Sequence, residues 1–150
     1  MSTTELQRGP ASDGQPQGEP LVKLEGVKKW FPITQGIIFQ RTIGQVHAVD
    51  GIDLEVYPGE TVGVVGETGC GKSTAARLIT KLLDVTEGKV WFEGQDITKL
   101  SRRQVRPLRR QMQMIFQDPY ASLNPRKSVG SIIGQPFMIH KTVPDDKVKS

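Results

Sequence analysis

The stretch TVGVVGETGCGKS, which ends at Ser73, constrains the fold of this chain more than any other. It satisfies the spacing G-x-x-x-x-G-K-[ST] through Gly66, Gly71, Lys72 and Ser73. Gly66, Gly69 and Gly71 can take backbone angles that a Cβ forbids, so successive N–H groups can face one concavity. A helix that begins near Lys72 directs its free N–H groups to the same place, where the lysine adds a positive charge and the serine hydroxyl can bind Mg²⁺. The stretch therefore predicts a phosphate-binding loop.

The sequence on both sides of this loop supports the prediction. Residues 61–65 form a β-branched apolar run of strand length, preceded by the turn signal Pro58-Gly59. Apolar residues then recur at helical spacing, at Ala75, Ala76, Leu78, Ile79, Leu82 and Leu83. The strand, loop and helix that the motif needs are all present, which favours nucleoside triphosphate binding over an ordinary glycine-rich turn.

Composition narrows the class of protein. The 150 residues carry a net charge of +4, which favours an anionic ligand but is too small to indicate nucleic acid by itself. The single cysteine, Cys70, excludes an internal disulfide and fits a reducing compartment. No apolar run is long enough to span a membrane, and the polar N-terminus does not resemble a signal peptide. We expect a cytoplasmic domain over residues 21–150, preceded by a disordered tail over residues 1–20 that is rich in Gly, Pro, Gln and Ser.

Residues on either side of the phosphate loop carry further patterns. Residues 33–45 are interpreted as a surface loop that contains the apolar cluster Ile37-Ile38-Phe39. Residues 129–140 are apolar and helical at their start, but Gly134 and Pro136 predict an interruption. Alternating or apolar runs predict further strands near residues 22–27, 46–49, 52–56, 89–92 and 112–116. The strands before the loop suggest antiparallel pairing.

The segment after the predicted strand at 89–92 is strongly basic. Ser101 and Gln104 have the spacing of a capping box, which predicts the start of a short helix, and Pro107 predicts a kink or restart. Five arginines crowd this segment, at positions 102, 103, 106, 109 and 110. The lack of interleaved aromatic residues favours a solvated helix face over a nucleic-acid-binding patch.

Other families with a phosphate loop fit less well. A GTPase needs D-x-x-G and N-K-x-D after the loop, and neither pattern follows Ser73. Many ATPases with a phosphate loop place a carboxylate at the end of a neighbouring strand, where it holds Mg²⁺. Here Gln117 stands at the end of the apolar run, and Asp118 comes one residue late and faces the other way by strand alternation.

These features together resemble the nucleotide-binding domain of ABC transporters. The resemblance rests on residues 46–52 (VHAVDGI), on PGET, on the phosphate loop GETGCGKST and on MIFQDP around Gln117. The segment YASLNPR and the insertion at residues 33–45 are most similar to the second of the two paired ATPase subunits of oligopeptide and dipeptide importers. The resemblance covers about residues 21–140. It implies an α/β P-loop NTPase fold, with a RecA-like core and an antiparallel β subdomain.

The resemblance also implies roles for particular residues, with ATP and Mg²⁺ as ligands. Phe31 matches the aromatic residue that stacks on adenine, and Trp30 is the alternative if the register differs by one. Gln117 matches the glutamine that binds Mg²⁺ and senses the γ-phosphate, and Ser73 is the other implied Mg²⁺ ligand. The phosphate-binding positions are Gly66, Glu67, Thr68, Gly69, Cys70, Gly71, Lys72, Ser73 and Thr74.

Three elements of the family have no match in these residues. They are the LSGGQ signature, the Walker B strand that ends in Asp-Glu, and the switch histidine; His47 and His140 do not fit the last role. We therefore expect residues 21–150 to be the N-terminal portion of a truncated ABC domain. No catalytic residue is assigned, and we expect the isolated chain to bind nucleotide at most.

The implied function is that of an ATP-binding subunit of a peptide import system. Its implied partners are transmembrane permease subunits and a paired ATPase subunit, with a peptide-binding protein acting indirectly and no nucleic acid. This places the chain at the inner face of the cell membrane, attached through the permeases. A soluble ABC-type ATPase of translation or repair is the alternative, which the ASLNPR segment makes less favoured. The sequence of this chain does not indicate which peptide is transported.

Overall fold

The computed structural model of the chain describes residues 5–8, 18–35, 41–118 and 123–140, with the first of these segments described as backbone only. The chain divides into two compact units, Met1–Arg106 and Pro107–Ser150. The elements of the first unit, in chain order, are β1 (Glu5–Arg8), β2 (Val22–Gln35), β3 (Arg41–Val56), β4 (Val62–Val65), α1 (Lys72–Ile79), β5 (Glu87–Phe92) and β6 (Gln95–Asp96). Helix α2 (Arg102–Leu108) crosses the boundary, and α3 (Val129–His140) belongs to the second unit.

A four-stranded antiparallel sheet dominates the first unit. Its strand order is β3-β2-β5-β6. Leu24 of β2 pairs with Leu54 of β3 on one side and with Val90 of β5 on the other. The long β2–β3 pairing contains several register shifts, which occur where strands bend or carry an extra residue. The antiparallel β subdomain expected from the sequence is present.

The buried apolar residues come from this sheet, from α1 and α2, and from the chain after β6. Helix α1 contributes Leu78, which is fully buried, and α2 contributes Val105. Both helices bury only one residue, so they are held by a narrow apolar stripe rather than by wide faces. The buried apolar residues are Leu24, Val27, Val49, Leu78, Val90, Phe92, Ile97 and Val105.

The surface loop expected at residues 33–45 is largely strand. Strand β2 continues to Gln35 and β3 begins at Arg41, and the two pair as far as Gln35 with Arg41. The expectation of a loop is wrong at these positions because two consecutive segments can satisfy each other's backbone groups whatever their side chains. The apolar cluster Ile37-Ile38-Phe39 lies outside the described residues.

The expectation of a disordered tail over residues 1–20 is wrong at Glu5–Arg8. These residues form β1, which pairs antiparallel with β4, from Glu5 with Val65 to Arg8 with Val62. The expectation of disorder rests on the lack of apolar residues, but a strand edge binds a polar segment through the backbone alone. Most of the remaining tail lies outside the described residues.

Two expectations for the second unit are also wrong. Residues 112–116 form no strand, and Ile115 is 95% exposed, because no neighbouring strand pairs with them among the described residues. Helix α3 is not interrupted and runs through Gly134 and Pro136 to His140. It buries none of its residues, and the Arg110 guanidinium donates a hydrogen bond to the His140 carbonyl at its end.

Candidate functional site

The phosphate loop, defined here as residues 66–73, joins β4 to α1 through a tight turn. The Cys70 amide donates to the Glu67 carbonyl at 3.3 Å, and the Ala75 amide donates to the Gly71 carbonyl at 2.8 Å as α1 begins. Gly69 and Gly71 have φ of +88° and +97°, which confirms that the turn uses two glycines for their conformation. Gly66 does not need a positive φ.

Gly71 is also fixed by close packing against β3. A Cβ at this position would lie 2.2 Å from the carbonyl oxygen of Ala48 and 3.4 Å from a methyl group of Val49. The loop can therefore approach β3 only because residue 71 has no side chain. This contact brings the start of α1 against residues 47–50 of β3.

The Lys72 ammonium folds back over the loop. It donates to the carbonyl of Gly66 at 2.7 Å and to that of Glu67 at 2.8 Å, and it lies 3.4 Å from the sulfur of Cys70. An ammonium has three N–H donors, so these three acceptors satisfy it. The positive charge is thus held over the concave side of the loop, where phosphate oxygens can replace one or more of these acceptors.

A cavity of about 980 Å³, called here the loop cavity, opens beside the phosphate loop. Gly69, Cys70, Gly71 and Lys72 form its loop side. The opposite side is built from β3 and β4, and Ala75, Ala76 and Ile79 of α1 complete it. Its β3 and β4 residues are His47, Ala48, Val49, Asp50, Ile52, Asp53, Leu54, Val62 and Val64.

Sequence reasoning missed His47 and Asp50 as neighbours of the phosphate loop. Their side chains lie 3.6 Å apart, from His47 Nδ1 to Asp50 Oδ2. The Trp30 indole stacks on the His47 ring at 4.8 Å, with an angle of 24° between the rings, and its N–H reaches Asp50 at 3.4 Å. In the sequence, residues 46–52 resemble a segment of the family. This resemblance does not indicate which residues they contact.

Phe31 and Trp30 differ in how much of each ring is free. One face of Trp30 is occupied by His47, whereas Phe31 is 37% exposed and pairs across the strands with the half-exposed Val46. The Lys29 ammonium lies 5.2 Å from the centre of the Phe31 ring. Of the two aromatic residues, Phe31 therefore has the larger exposed fraction.

The remaining candidate residues fall into two groups. Glu67, Thr68 and Ser73 are exposed on the loop, and Thr74 is half-buried in the first turn of α1. Gln117 lies in an exposed bend of the second unit. Within the described part of the chain, no three His, Cys, Asp or Glu side chains cluster as a metal site.

The family model for ABC transporters matches residues 49–149. The match includes the phosphate loop and the segment around Gln117. The chain belongs to the ABC transporter family of ATP-binding proteins.

Curated relatives agree with this assignment. The oligopeptide transport ATP-binding protein AppF of Bacillus subtilis is 53% identical over 123 residues, which cover 81% of this chain and 37% of the relative. The glutathione import ATP-binding protein GsiA of Salmonella paratyphi A is 46% identical over 124 residues, which cover 83% of this chain and 20% of the relative. The chain therefore spans 37% and 20% of the length of these two relatives.

Solved structures show the same fold. A dimeric structure of the ATP-binding cassette MJ0796 matches 85% of this chain and 52% of its own length, with a TM-score of 0.66 and 20% identity. The structure of cbiO1 from Clostridium perfringens matches 88% of this chain and 47% of its own, with a TM-score of 0.60 and 21% identity. The fold is that of a partial ABC ATPase cassette of the P-loop NTPase class.

None of the described helices combines the length and the hydropathy that crossing a lipid bilayer would require.

Proposed function

We propose that the chain binds a nucleoside triphosphate, ATP, through the phosphate loop. One observation carries this proposal: the Lys72 ammonium is held over a turn shaped by Gly69 and Gly71 at the start of α1. The loop amides, the helix N-terminus and the ammonium all favour the negative charge of phosphates. Residues 66–74 are the proposed phosphate-binding positions.

The adenine base is proposed to stack on Phe31. Stacking requires only one exposed aromatic face, and a larger fraction of Phe31 than of Trp30 is exposed, since the His47 ring stacks on Trp30. Both aromatic residues lie on β2, which pairs with β3. Residues 47–50 of β3 border the phosphate loop. Trp30 is the alternative stacking residue if the register differs by one.

Mg²⁺ is proposed to accompany the nucleotide, with Ser73 and Gln117 as protein ligands. The exposed Ser73 hydroxyl at the start of α1 and the exposed Gln117 amide are oxygen donors of the kind that Mg²⁺ accepts. Because Mg²⁺ retains water and phosphate oxygens in most sites, two protein oxygens are a suitable number. The ion would neutralise phosphate charge when it is bound.

For the whole protein, we propose the role of an ATP-binding subunit of a peptide import system. The relatives named for oligopeptide transport and glutathione import support this class. The proposed partners are membrane-embedded permeases and a second ATPase subunit, with a peptide-binding protein acting indirectly, and the proposed place is the cytoplasmic face of the membrane. The names of these relatives favour import over a soluble non-transport ATPase.

The test is a binding measurement on Lys72→Ala with ATP and with inorganic tripolyphosphate. Loss of hydrogen bonds from a charged group costs about 1.5–3 kcal/mol, so we expect the affinity for both ligands to fall about 10- to 150-fold. Isothermal titration or fluorescence of a labelled nucleotide gives the dissociation constants.

Phe31→Ala is the matched variant in the same experiment. It should weaken ATP binding and leave tripolyphosphate binding within about twofold, because only ATP carries a base to stack. Unchanged affinity for both ligands in Lys72→Ala would show that the phosphate loop is not the site. Equal losses for both ligands in Phe31→Ala would remove the adenine assignment alone.

A further inference from the structure

Asp50 is an acidic residue of β3 that lines the loop cavity. Gly71 and Lys72 of the phosphate loop line the same cavity. Two positions before Asp50 in the strand is Ala48, whose carbonyl oxygen packs against Gly71. One cavity therefore contains both the phosphate loop and a carboxylate.

Trp30 positions this carboxylate. The indole N–H donates to Asp50 Oδ1 at 3.4 Å. The backbone amide of Trp30 donates to the Thr86 hydroxyl oxygen at 3.1 Å, and the Lys28 ammonium lies 5.5 Å from the centre of the indole ring. The His47 ring stacks on the indole at 4.8 Å. The residue that orients Asp50 is thus itself held through its backbone and its ring, as the support of a binding residue must be.

The Asp50 carboxylate keeps acceptor sites for a ligand. An ionised carboxylate can accept about four hydrogen bonds, and within the part of the chain that the structure describes only the Trp30 indole donates to it. The second oxygen, Oδ2, lies 3.6 Å from His47 Nδ1, which is too long for a hydrogen bond. Because the Asp50 side chain is 59% exposed, a ligand can reach these sites.

The chemistry of a nucleotide decides which of its groups suits this carboxylate. Phosphate oxygens accept hydrogen bonds and carry negative charge, so a carboxylate repels them. The ribose is bonded directly to the phosphate chain, and its hydroxyl groups are neutral hydrogen-bond donors. Acidic side chains bind ribose hydroxyls in this way in dinucleotide-binding proteins. The ribose is therefore the group that fits Asp50.

Mg²⁺ is the other ligand that a carboxylate beside phosphates can bind. Ser73, the proposed magnesium ligand of the phosphate loop, does not line the loop cavity, whereas Asp50 does. Among the residues that the structure describes, Asp50 belongs to no group of three His, Cys, Asp or Glu side chains that could hold a metal ion. These observations favour the ribose over the metal ion.

We propose that Asp50 accepts a hydrogen bond from a ribose hydroxyl of the bound nucleotide, with Trp30 as its positioning residue. This inference rests on the proposed function, because it requires that the phosphate loop binds a nucleotide. A nucleotide that lacks this hydroxyl binds more weakly. The preference does not depend on which aromatic residue stacks on the base, since the ribose adjoins the phosphates in either case.

The experiment measures the dissociation constants of the full chain for ATP, 2′-deoxyATP, 3′-deoxyATP and inorganic tripolyphosphate. The exposure of Asp50 places its hydrogen bond at the weak end of those made by charged groups, so we expect ATP to bind about 5- to 10-fold more tightly than one of the deoxynucleotides. In Asp50→Ala this preference should fall below about twofold. Tripolyphosphate should bind Asp50→Ala at least as tightly as the parent chain, because a repelling charge is lost.

Trp30→Phe tests the positioning role. It keeps an aromatic ring against His47 and removes the indole N–H that holds Asp50. The preference for ATP over the deoxynucleotide should fall about two- to threefold, while tripolyphosphate binding stays within about twofold of the parent chain. A lost stacking contact with the base would weaken ATP and the deoxynucleotides equally and leave the preference unchanged.

Asp53→Asn is the matched control for charge. Asp53 lines the same cavity, but its carboxylate already accepts a hydrogen bond from the Gly26 amide at 2.7 Å. The variant removes one negative charge, as Asp50→Ala does, and should keep the preference of the parent chain for ATP. Circular dichroism and urea unfolding check that all variants remain folded.

Equal binding of ATP and both deoxynucleotides by the parent chain would overturn the proposal, as would a preference that survives in Asp50→Ala or disappears in Asp53→Asn. Tripolyphosphate binding that Asp50→Ala loses with Mg²⁺ and keeps with EDTA would assign Asp50 to the metal ion instead. If the preference is absent while Lys72-dependent tripolyphosphate binding holds, only this inference is lost.

Discussion

At the scale of single residues, Gly71 connects sequence to site most directly. Its φ of +97° forms the turn, and its missing side chain lets the Ala48 carbonyl approach the start of α1. The motif explains why a glycine is required by the loop, but the contact with β3 depends on a residue 23 positions earlier. One residue thus serves both the loop conformation and its packing.

We expect Gly71→Ala to lose more stability than a strained backbone alone explains. A non-glycine residue at positive φ costs about 1–3 kcal/mol, and the new methyl group would also collide with Ala48. Urea unfolding measures the free energy of unfolding. The variant should also lose phosphate binding, because the loop must move to make room for the methyl group.

Gly69→Ala is the control for this prediction. Its φ of +88° imposes a similar strain, but nothing lies within 4 Å of the added Cβ. The difference between the free energies of unfolding of the two variants therefore measures the effect of the contact with β3. Equal destabilisation of Gly69→Ala and Gly71→Ala would show that the approach to Ala48 has no energetic weight.

At the scale of elements, Lys81 joins the end of α1 to the chain after β6. Its side chain is 5% exposed, and its ammonium donates to Asp84 Oδ1 and to the Thr98 carbonyl, each at 2.5 Å. The hydrogen bond from Lys81 is the main reason that the pKa of Asp84 is lowered, which burial partly opposes. One buried cation therefore joins the chain after α1 to the chain after β6.

We expect Asp84→Asn to destabilise the fold at neutral pH and not at low pH. A carboxyl group whose pKa is lower in the folded state stabilises the fold above its unfolded pKa of about 3.9, and this contribution is lost as the pH falls through the folded pKa. Because the Asp84 carboxylate is 82% exposed, solvent screening limits the effect to about 0.5–1.5 kcal/mol at pH 7. Urea unfolding at pH 7 and near pH 3 measures it.

Lys81→Met makes this prediction specific to the ion pair. Without the ammonium, Asp84→Asn should change the free energy of unfolding by less than about 0.3 kcal/mol at either pH. An Asp84→Asn effect that persists in the Lys81→Met background would assign the stabilisation to another partner of Asp84.

At the scale of the whole molecule, the phosphate-loop strand has little sheet around it. Strand β4 pairs with β1, and no other strand pairs with it among the described residues. Val64 and Val65 of β4 are 36% and 49% exposed. An apolar strand with an open edge promotes pairing with another chain.

We expect removal of residues 1–8 to increase self-association. The deletion takes β1 away from β4 and opens its second edge, which is a template for edge-to-edge pairing. Light scattering and size-exclusion chromatography over a range of concentrations measure the change.

Replacement of Glu5–Arg8 by four threonines is the control for this deletion. The backbone hydrogen bonds of β1 should survive this change, so the variant should behave as the parent chain does. Equal association of the deletion and the parent chain would indicate that β1 does not protect β4.

The phosphate loop, the capping box of α2 and the antiparallel strands before the loop could all be predicted from residue patterns. These features are local, because glycine conformations, side-chain caps and residue alternation act over a few residues. The sequence also indicated the family through segments such as PGET and MIFQDP, and the family model confirms that assignment.

Three features become visible only in the folded chain: the contact between Gly71 and Ala48, the Trp30–His47 stack and the pairing of β1 with β4. Each joins residues distant in sequence, and the backbone hydrogen bonds of β1 carry no side-chain signal. The same reason explains the error at residues 112–116, since an apolar run becomes a strand only where another strand supplies its hydrogen-bond partners.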